Sequence, residues 1–291
     1  MKTTAFHNRK KTAIIVSVIA LALLVVAVIV FVNVSKSQKY SAALDAENVG
    51  NYQEAYRLYN ILGGYKDSPQ KKQTLEEAIP TLRFSLAQEN DVVTFGSFEQ
   101  DGNTENGAED LEWVVLDRRN DRVLLLSKYV LACMPYNNEN AYLTWEECSL
   151  RDWLNNEFIS TAFTDSDRQL LADVQNKNNG NNKFETDGGN DTLDTVFLLS
   201  TEEASAYFHE EDARLMNGMG EPTQVAISQG ISITEEEGAE TVYSPWWLRG
   251  PGVYQNSAAF VETDGTVYEN GAILDNANFC GVRPAIWAKA Q

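Results

Sequence analysis

Histidine is the scarcest chemical resource in this chain, with only His7 and His209 in 291 residues. A Ser-His-Asp or Cys-His site beyond residue 90 would have to use His209. No GxSxG elbow, no phosphate-cradling glycine loop and no HExxH pair occurs in the sequence, so the hydrolase, nucleotide and zincin chemistries that need them are not indicated. Cysteine is nearly as rare. Cys133, Cys148 and Cys280 are too few and too scattered for a disulfide scaffold, and without a CxxC no thiolate zinc site is indicated. A Cys133–Cys148 bridge would close a short loop and leave Cys280 free. Positive charge is short as well. Residues 91–291 hold twelve basic against thirty-five acidic side chains, a balance of −23. Such a surface repels phosphate backbones, so nucleic acid is not an expected partner; its plainest use is solubility. Hydrophobic residues make up 43% of the chain, enough for a real core.

The charge that is missing altogether is missing from residues 13–34, AIIVSVIALALLVVAVIVFVNV. As a helix this run spans about 33 Å, against about 30 Å of bilayer hydrocarbon. It is longer than a signal-peptide core, and Val-Asn-Val-Ser-Lys-Ser offers no small-x-small cleavage site. Residues 1–12 carry Lys2, Arg9, Lys10 and Lys11 and no acid. The reading is a single-pass anchor in the cell membrane, with a cytoplasmic amino-terminal tail and an extracellular remainder.

Residues 36–88 read as a helical stalk. Ala42, Ala43 and Ala46 lead to a Gly50-Asn51 turn, and Tyr52, Ala55, Tyr59 and Leu62 then build one helix face. Gly63-Gly64 stops that helix, and Pro69 suits the first turn of the next. The pattern Ala-x-x-x-x-x-Gly-Asn-Tyr-x-x-Ala-x-x-x-Tyr-x-x-Leu resembles one tetratricopeptide repeat. A single repeat implies a spacer or packing element, because a groove needs about three.

From residue 91 the signal changes to strands. Val92–Phe95, Leu111–Leu116 and Arg122–Ser127 are short and apolar, with Asn120-Asp121 as a hairpin turn. Helices follow. Ser149-Leu-Arg-Asp152 has the form of a capping box ahead of Leu150, Trp153, Leu154 and Phe158, which places Trp153 in the core. Thr164–Asp167 and Ser200–Glu203 start two more. Residues 176–191 read as a polar surface loop and Thr195–Leu199 as a buried strand. Trp246–Leu248, Ala258–Glu262, Thr266–Tyr268 and Val282–Trp287 return to strands, with Asp264-Gly265 as a hairpin signal. Strands at both ends with helices between predict an α+β domain over 91–291.

Several words in this domain carry a resemblance: Val93-Thr-Phe-Gly-Ser97, Glu112-Trp-Val-Val-Leu116, Thr144-Trp-Glu-Glu-Cys-Ser-Leu-Arg-Asp-Trp-Leu-Asn155, Trp246-Trp-Leu-Arg249 and Gly281-Val-Arg-Pro-Ala285. Together they resemble a domain of unknown function found in secreted and anchored proteins of Gram-positive bacteria. The Trp-Leu-Arg and Gly-Val-Arg-Pro plan is similar to the C-type-lectin-like fold, in the branch with formylglycine-generating enzymes and retroelement-diversified receptors. That resemblance implies a lectin-like outer domain. The enzymes' active cysteines lie near the carboxyl end, where Cys280 stands here without its paired cysteine.

The candidate ligand-binding residues are Trp246, Trp247, Arg249, Tyr254, Asn256 and Arg283, with Gln255 and the Glu269-Asn270 loop beside them. Adjacent strand residues face opposite sides, so one of Trp246 and Trp247 is expected in the core and the other near the surface. Arginine among aromatics stacks or pairs with carboxylates, and aromatic and amide groups suit sugars or protein partners. No cofactor is required; Asp187, Asn190 and Asp191 offer hard oxygens of the kind calcium takes. The expected function is non-catalytic binding of a cell-envelope glycan or surface protein. A carboxylate-dependent hydrolase acting on envelope material and an interaction subunit working through the helical stalk are the alternatives.

Overall fold

The computed structural model describes residues 25, 28, 30–208, 218–234 and 241–291. The basic tail over 1–12, most of the anchor predicted over 13–34, His209 and Glu235–Glu237 lie outside the described residues. Among the described residues no helix is long and apolar enough to cross a membrane. The chain divides into two compact units, one ending at Leu82 and one running from Arg83 to Gln291.

The first unit is helical. Helix α1 is described over 30–48, α2 spans Tyr52–Leu62 and α3 Ser68–Ala78. The turn between α1 and α2 falls at Gly50-Asn51 because Gly50 adopts a left-handed φ of 77° and the Asn51 side chain caps α2 by accepting the Glu54 N–H. α2 buries Ala55, Tyr56, Leu58, Tyr59 and Leu62, while Tyr52, expected on the same face, is left exposed at its first turn. Glu47 on α1 ties all three helices, accepting from Tyr59 Oη of α2 at 2.7 Å and Lys71 Nζ of α3 at 3.1 Å.

The second unit, which helix α4 (Leu82–Ser85) enters, is α+β and built on two sheets. In the first, β1 (Val92–Phe98), β2 (Glu109–Arg118) and β3 (Arg122–Ser127) form an antiparallel meander turning at 119–121. Beyond β3 comes the chain's last strand, β15 (Ala285–Lys289), flanked by β6 (Leu171–Ala172) and β9 (Val196–Phe197). The second sheet runs β13 (Val267–Ile273), β12 (Ser257–Val261), β11 (Trp246–Pro251), β14 (Gly281–Val282), β5 (Ala132–Cys133). Two-stranded pairs add β4 (Tyr129–Val130) with β10 (Glu221–Pro222), and β7 (Val174–Asn176) with β8 (Thr192–Asp194). The helices are α5 (Ser149–Trp153), continued by a π-helical turn at Leu154–Phe158, then α6 (Ile159–Ala162), α7 (Asp165–Arg168), α8 (Thr201–Tyr207) and α9 (Gln224–Ser228).

Two chain segments cross together from one sheet to the other, 127–133 and 281–285. Ser127 N–H donates to Pro284 O and Leu131 N–H to Val282 O. Arg283 sits at this crossing, 1% exposed, donating to the carbonyls of Ser127, Lys128 and Gly218 and stacking 5.1 Å from Trp246. Burial among carbonyls with no solvent lowers its pKa to about 9. The Gly-Val-Arg-Pro stretch is therefore the seam of the domain.

Two expectations are corrected. The cap of α5 is Cys148, whose Sγ accepts the Arg151 N–H at 3.4 Å, one residue before the predicted Ser149; Ser149 Oγ is drawn instead to Asn138 N–H at 3.0 Å. Trp246 and Trp247 do face opposite sides of β11, yet both are fully buried. The reason is that β11 is the central strand of its sheet and both faces are covered. Trp246 packs on Phe208 and donates to Gly218 O; Trp247 packs on Tyr136 and donates to Met134 O.

Candidate functional site

Where β11 ends and α8 begins, the second unit opens a cleft of about 300 Å³. One wall is the loop Asn179-Gly-Asn-Asn-Lys183. The other is α8, through Thr201, Glu202 and Ser205, and Pro251 and Glu269 complete it. Eight of the ten lining residues carry an amide, hydroxyl, carboxylate or ammonium group, with Lys183 as the cation, although more than half of the exposed lining is carbon.

The residues beneath the cleft explain why these groups converge. Ser200 caps α8, and Glu203 returns the bond to Ser200 N–H, a reciprocal capping box. That fixes Thr201, Glu202 and Ser205 on the first turns. Arg249 then locks both walls from below. Its Nη1 donates to Glu203 Oε2 at 2.6 Å and Leu198 O at 2.7 Å, and its Nη2 reaches Lys177 O, at the root of the loop, at 3.3 Å. Gly250 is what lets β11 come this close: a Cβ there would stand 2.7 Å from Thr201 Oγ1.

The loop itself is closed at its neck. Asn178 donates its amide to Asn190 O and Thr192 Oγ1, and its N–H to Asp191 Oδ1. Asn181 Nδ2 ties the loop to Glu269 O at 3.1 Å and Pro251 O at 3.4 Å, and Asn179 Nδ2 meets Glu202 Oε1 across the cleft at 3.2 Å. An exposed Lys183–Glu269 pair stands at 3.8 Å. Below the neck, buried Asp194 accepts from Trp145 Nε1, Asn176 Nδ2, Thr192 Oγ1 and Arg151 Nε, so its charge is compensated on every side.

The residues singled out from sequence fall into two groups. Trp246, Trp247, Arg249 and Arg283 are buried and hold the framework. Tyr254 is 66% exposed. Asn256 is partly exposed and donates to Asn140 Oδ1 at 2.8 Å. Gln255 is a lace between loops, donating to Leu143 O and Asp187 O and accepting from Asp187 N–H. Of the neighbouring loop, Glu269 reaches the cleft. Sequence reasoning passed over Asn179, Asn181, Asn182, Lys183, Thr201, Glu202 and Ser205. The available signal was the run Lys177-Asn-Asn-Gly-Asn-Asn-Lys183, four amides held on one tight loop.

Asp187 and Asp191 spend carboxylate oxygens on the N–H groups of Gly189 and Asn178, and Asn190 donates to Glu146. Among the described residues, the acidic side chains whose oxygens lie within 4.8 Å of one another are Glu99, Asp101 and Glu109. They accept the N–H groups of Gly102, Asn103 and Gln100, and the Asn103 N–H with the Asn106 amide holds Asp101 below the usual carboxylate range. All three cysteines are free and buried. Burial pushes Cys133 up to about 11, Cys148 up to about 12 and Cys280 well above the ordinary thiol value, which keeps them protonated and poor nucleophiles at neutral pH.

The fold and site define a two-sheet α+β domain with an amide-lined cleft over a buried arginine clamp. Residues 120–290 match the family described as domain of unknown function DUF6273, and the chain belongs to that family. No curated protein and no solved structure matches it.

Proposed function

We propose that this protein is a membrane-anchored recognition module of C-type-lectin-like build, whose outer domain binds a cell-envelope glycan of a Gram-positive bacterium in the cleft between the asparagine loop and α8. The observation that carries this reading is the lining: the amide of Asn182 and the hydroxyls of Thr201 and Ser205 stand around a surface that is otherwise largely carbon, the mixture of polar and apolar contact that a sugar ring takes. The apolar run 13–34 behind a basic tail supports placement outside the membrane. The Trp246-Trp-Leu-Arg249 and Gly281-Val-Arg-Pro284 words support the lectin-like build, since they occupy the central strand and the seam.

A second reading rests on one specific feature. Glu202 and Glu269 both line the cleft, and two carboxylates across a sugar are the apparatus of glycoside hydrolysis. The full chain in detergent, presented to a glycan array and to soluble peptidoglycan fragments, separates the two. Recognition predicts binding that weakens at least about tenfold in Asn182→Ala or Ser205→Ala, with the fragments recovered intact. Fragment cleavage abolished by Glu202→Gln would establish the hydrolase instead. Absence of binding to every glycan would end both.

A further inference from the structure

The cleft continues along its own rim. The loop from Pro251 to Asn256 starts in the cleft, and Tyr254 stands on it only three residues on, at most about 11 Å from Pro251 by chain length. Tyr254 is 66% exposed. Its neighbour Gln255 is fastened on both sides, to Asp187 of the asparagine-loop segment and to Leu143 O of the 137–144 segment. Beside Leu143 stands Tyr142, the most exposed aromatic of the unit at 79%. Asn256 adds a second tie to the 137–144 segment through Asn140 Oδ1, and Thr186 Oγ1 of the asparagine-loop segment adds a bond to Gly252 O at 2.8 Å. Two large aromatic side chains are thus left in water on loops that are otherwise thoroughly tied down.

Exposing a tyrosine on a mobile loop needs no explanation; holding two of them on adjoining, cross-laced loops beside a polar cleft does. The core of this unit does take a tyrosine, as Tyr136 is buried. A tyrosine ring offers an apolar face with a polar tip, which is the chemistry of the C–H face of a pyranose. The laced segments carry the amides Asn137, Asn138, Asn140 and Asn256 and the acids Glu139 and Asp187, and the net charge of the outer region is strongly negative, which disfavours anionic chains.

We propose that Tyr142 and Tyr254 form a stacking subsite that extends the cleft, so that the ligand is an uncharged oligosaccharide read over several rings and not a single sugar. This rests on the glycan reading of the cleft. The test is titration calorimetry of the full chain in detergent with N-acetylglucosamine oligomers from monomer to hexamer. Wild type should gain affinity with chain length. Tyr142→Ala and Tyr254→Ala should each lose about tenfold for the hexamer and leave the weak monomer binding unchanged; Tyr254→Phe, which keeps the ring face, should restore most of the loss. Hexamer binding that is abolished by Ser205→Ala yet unmoved by either tyrosine variant overturns the subsite and leaves the cleft standing. Wild type that binds no oligomer overturns the glycan reading and the subsite with it.

Discussion

At the scale of single residues, the buried ionisable groups set how this domain responds to pH. Cys133 is raised to about 11, Cys148 to about 12 and Tyr207 to about 12, in each case chiefly because burial penalises the charged form. In the unfolded chain the thiols return to their ordinary 9.0. As pH climbs, the unfolded chain therefore releases these protons first, and the equilibrium shifts toward it. The contribution of these three groups is intact below about pH 9 and is lost between about pH 9 and 12; Arg283, lowered to about 9, acts the other way and favours the folded state as pH rises through the same range. Urea midpoints measured at pH 7, 9 and 10.5 should hold steady across the first interval and drop across the second. A midpoint that is flat to pH 10.5 would mean that Arg283 offsets these groups in full, and a midpoint that rises would contradict their burial. Arg249 is 4% exposed and bonded to Glu203, so its role is to hold the walls of the cleft together.

At the scale of elements, the asparagine loop depends on one glycine more than on any asparagine. A Cβ on Gly188 would lie 2.0 Å from Asn178 O and 2.5 Å from Asn179 C, both backbone atoms with nowhere to go. Gly188→Ala should cost about 1–3 kcal/mol in a urea melt, the usual price of overpacking, and should weaken glycan binding in the same protein because Asn179 is displaced. Unchanged stability and affinity would mean that the loop has slack its hydrogen bonds do not reveal. The reciprocal cap at Ser200 makes the companion element: its loss removes about 1 kcal/mol and loosens the helix start that presents Thr201 and Glu202.

At the scale of the whole molecule, the proposed topology places everything past residue 34 outside the cell. Proteinase digestion of intact cells should remove the carboxyl-terminal unit, detected by an antibody to residues 83–291, without lysis. Protection until lysis would invert the topology and take the envelope ligand with it.

The composition and word pattern of the chain were enough for its coarse plan. Alternating short apolar runs, Asn120-Asp121 and Asp264-Gly265 turns, and caps at Thr164 and Ser200 are local features, enforced by backbone sterics and nearest neighbours, and each stands where its residues call for it. The cleft was a different matter. Asn179 to Lys183, Thr201 to Ser205, Pro251 and Glu269 are separated by tens of residues, and nothing local makes them converge. Only the packing of β11 against α8, with Arg249 between them, brings the loop and the helix face together. Burial of Trp246 and Trp247 was hidden for the same reason: alternation along a strand says that two neighbours point opposite ways, but whether each side meets water or core depends on which other strands and helices arrive there.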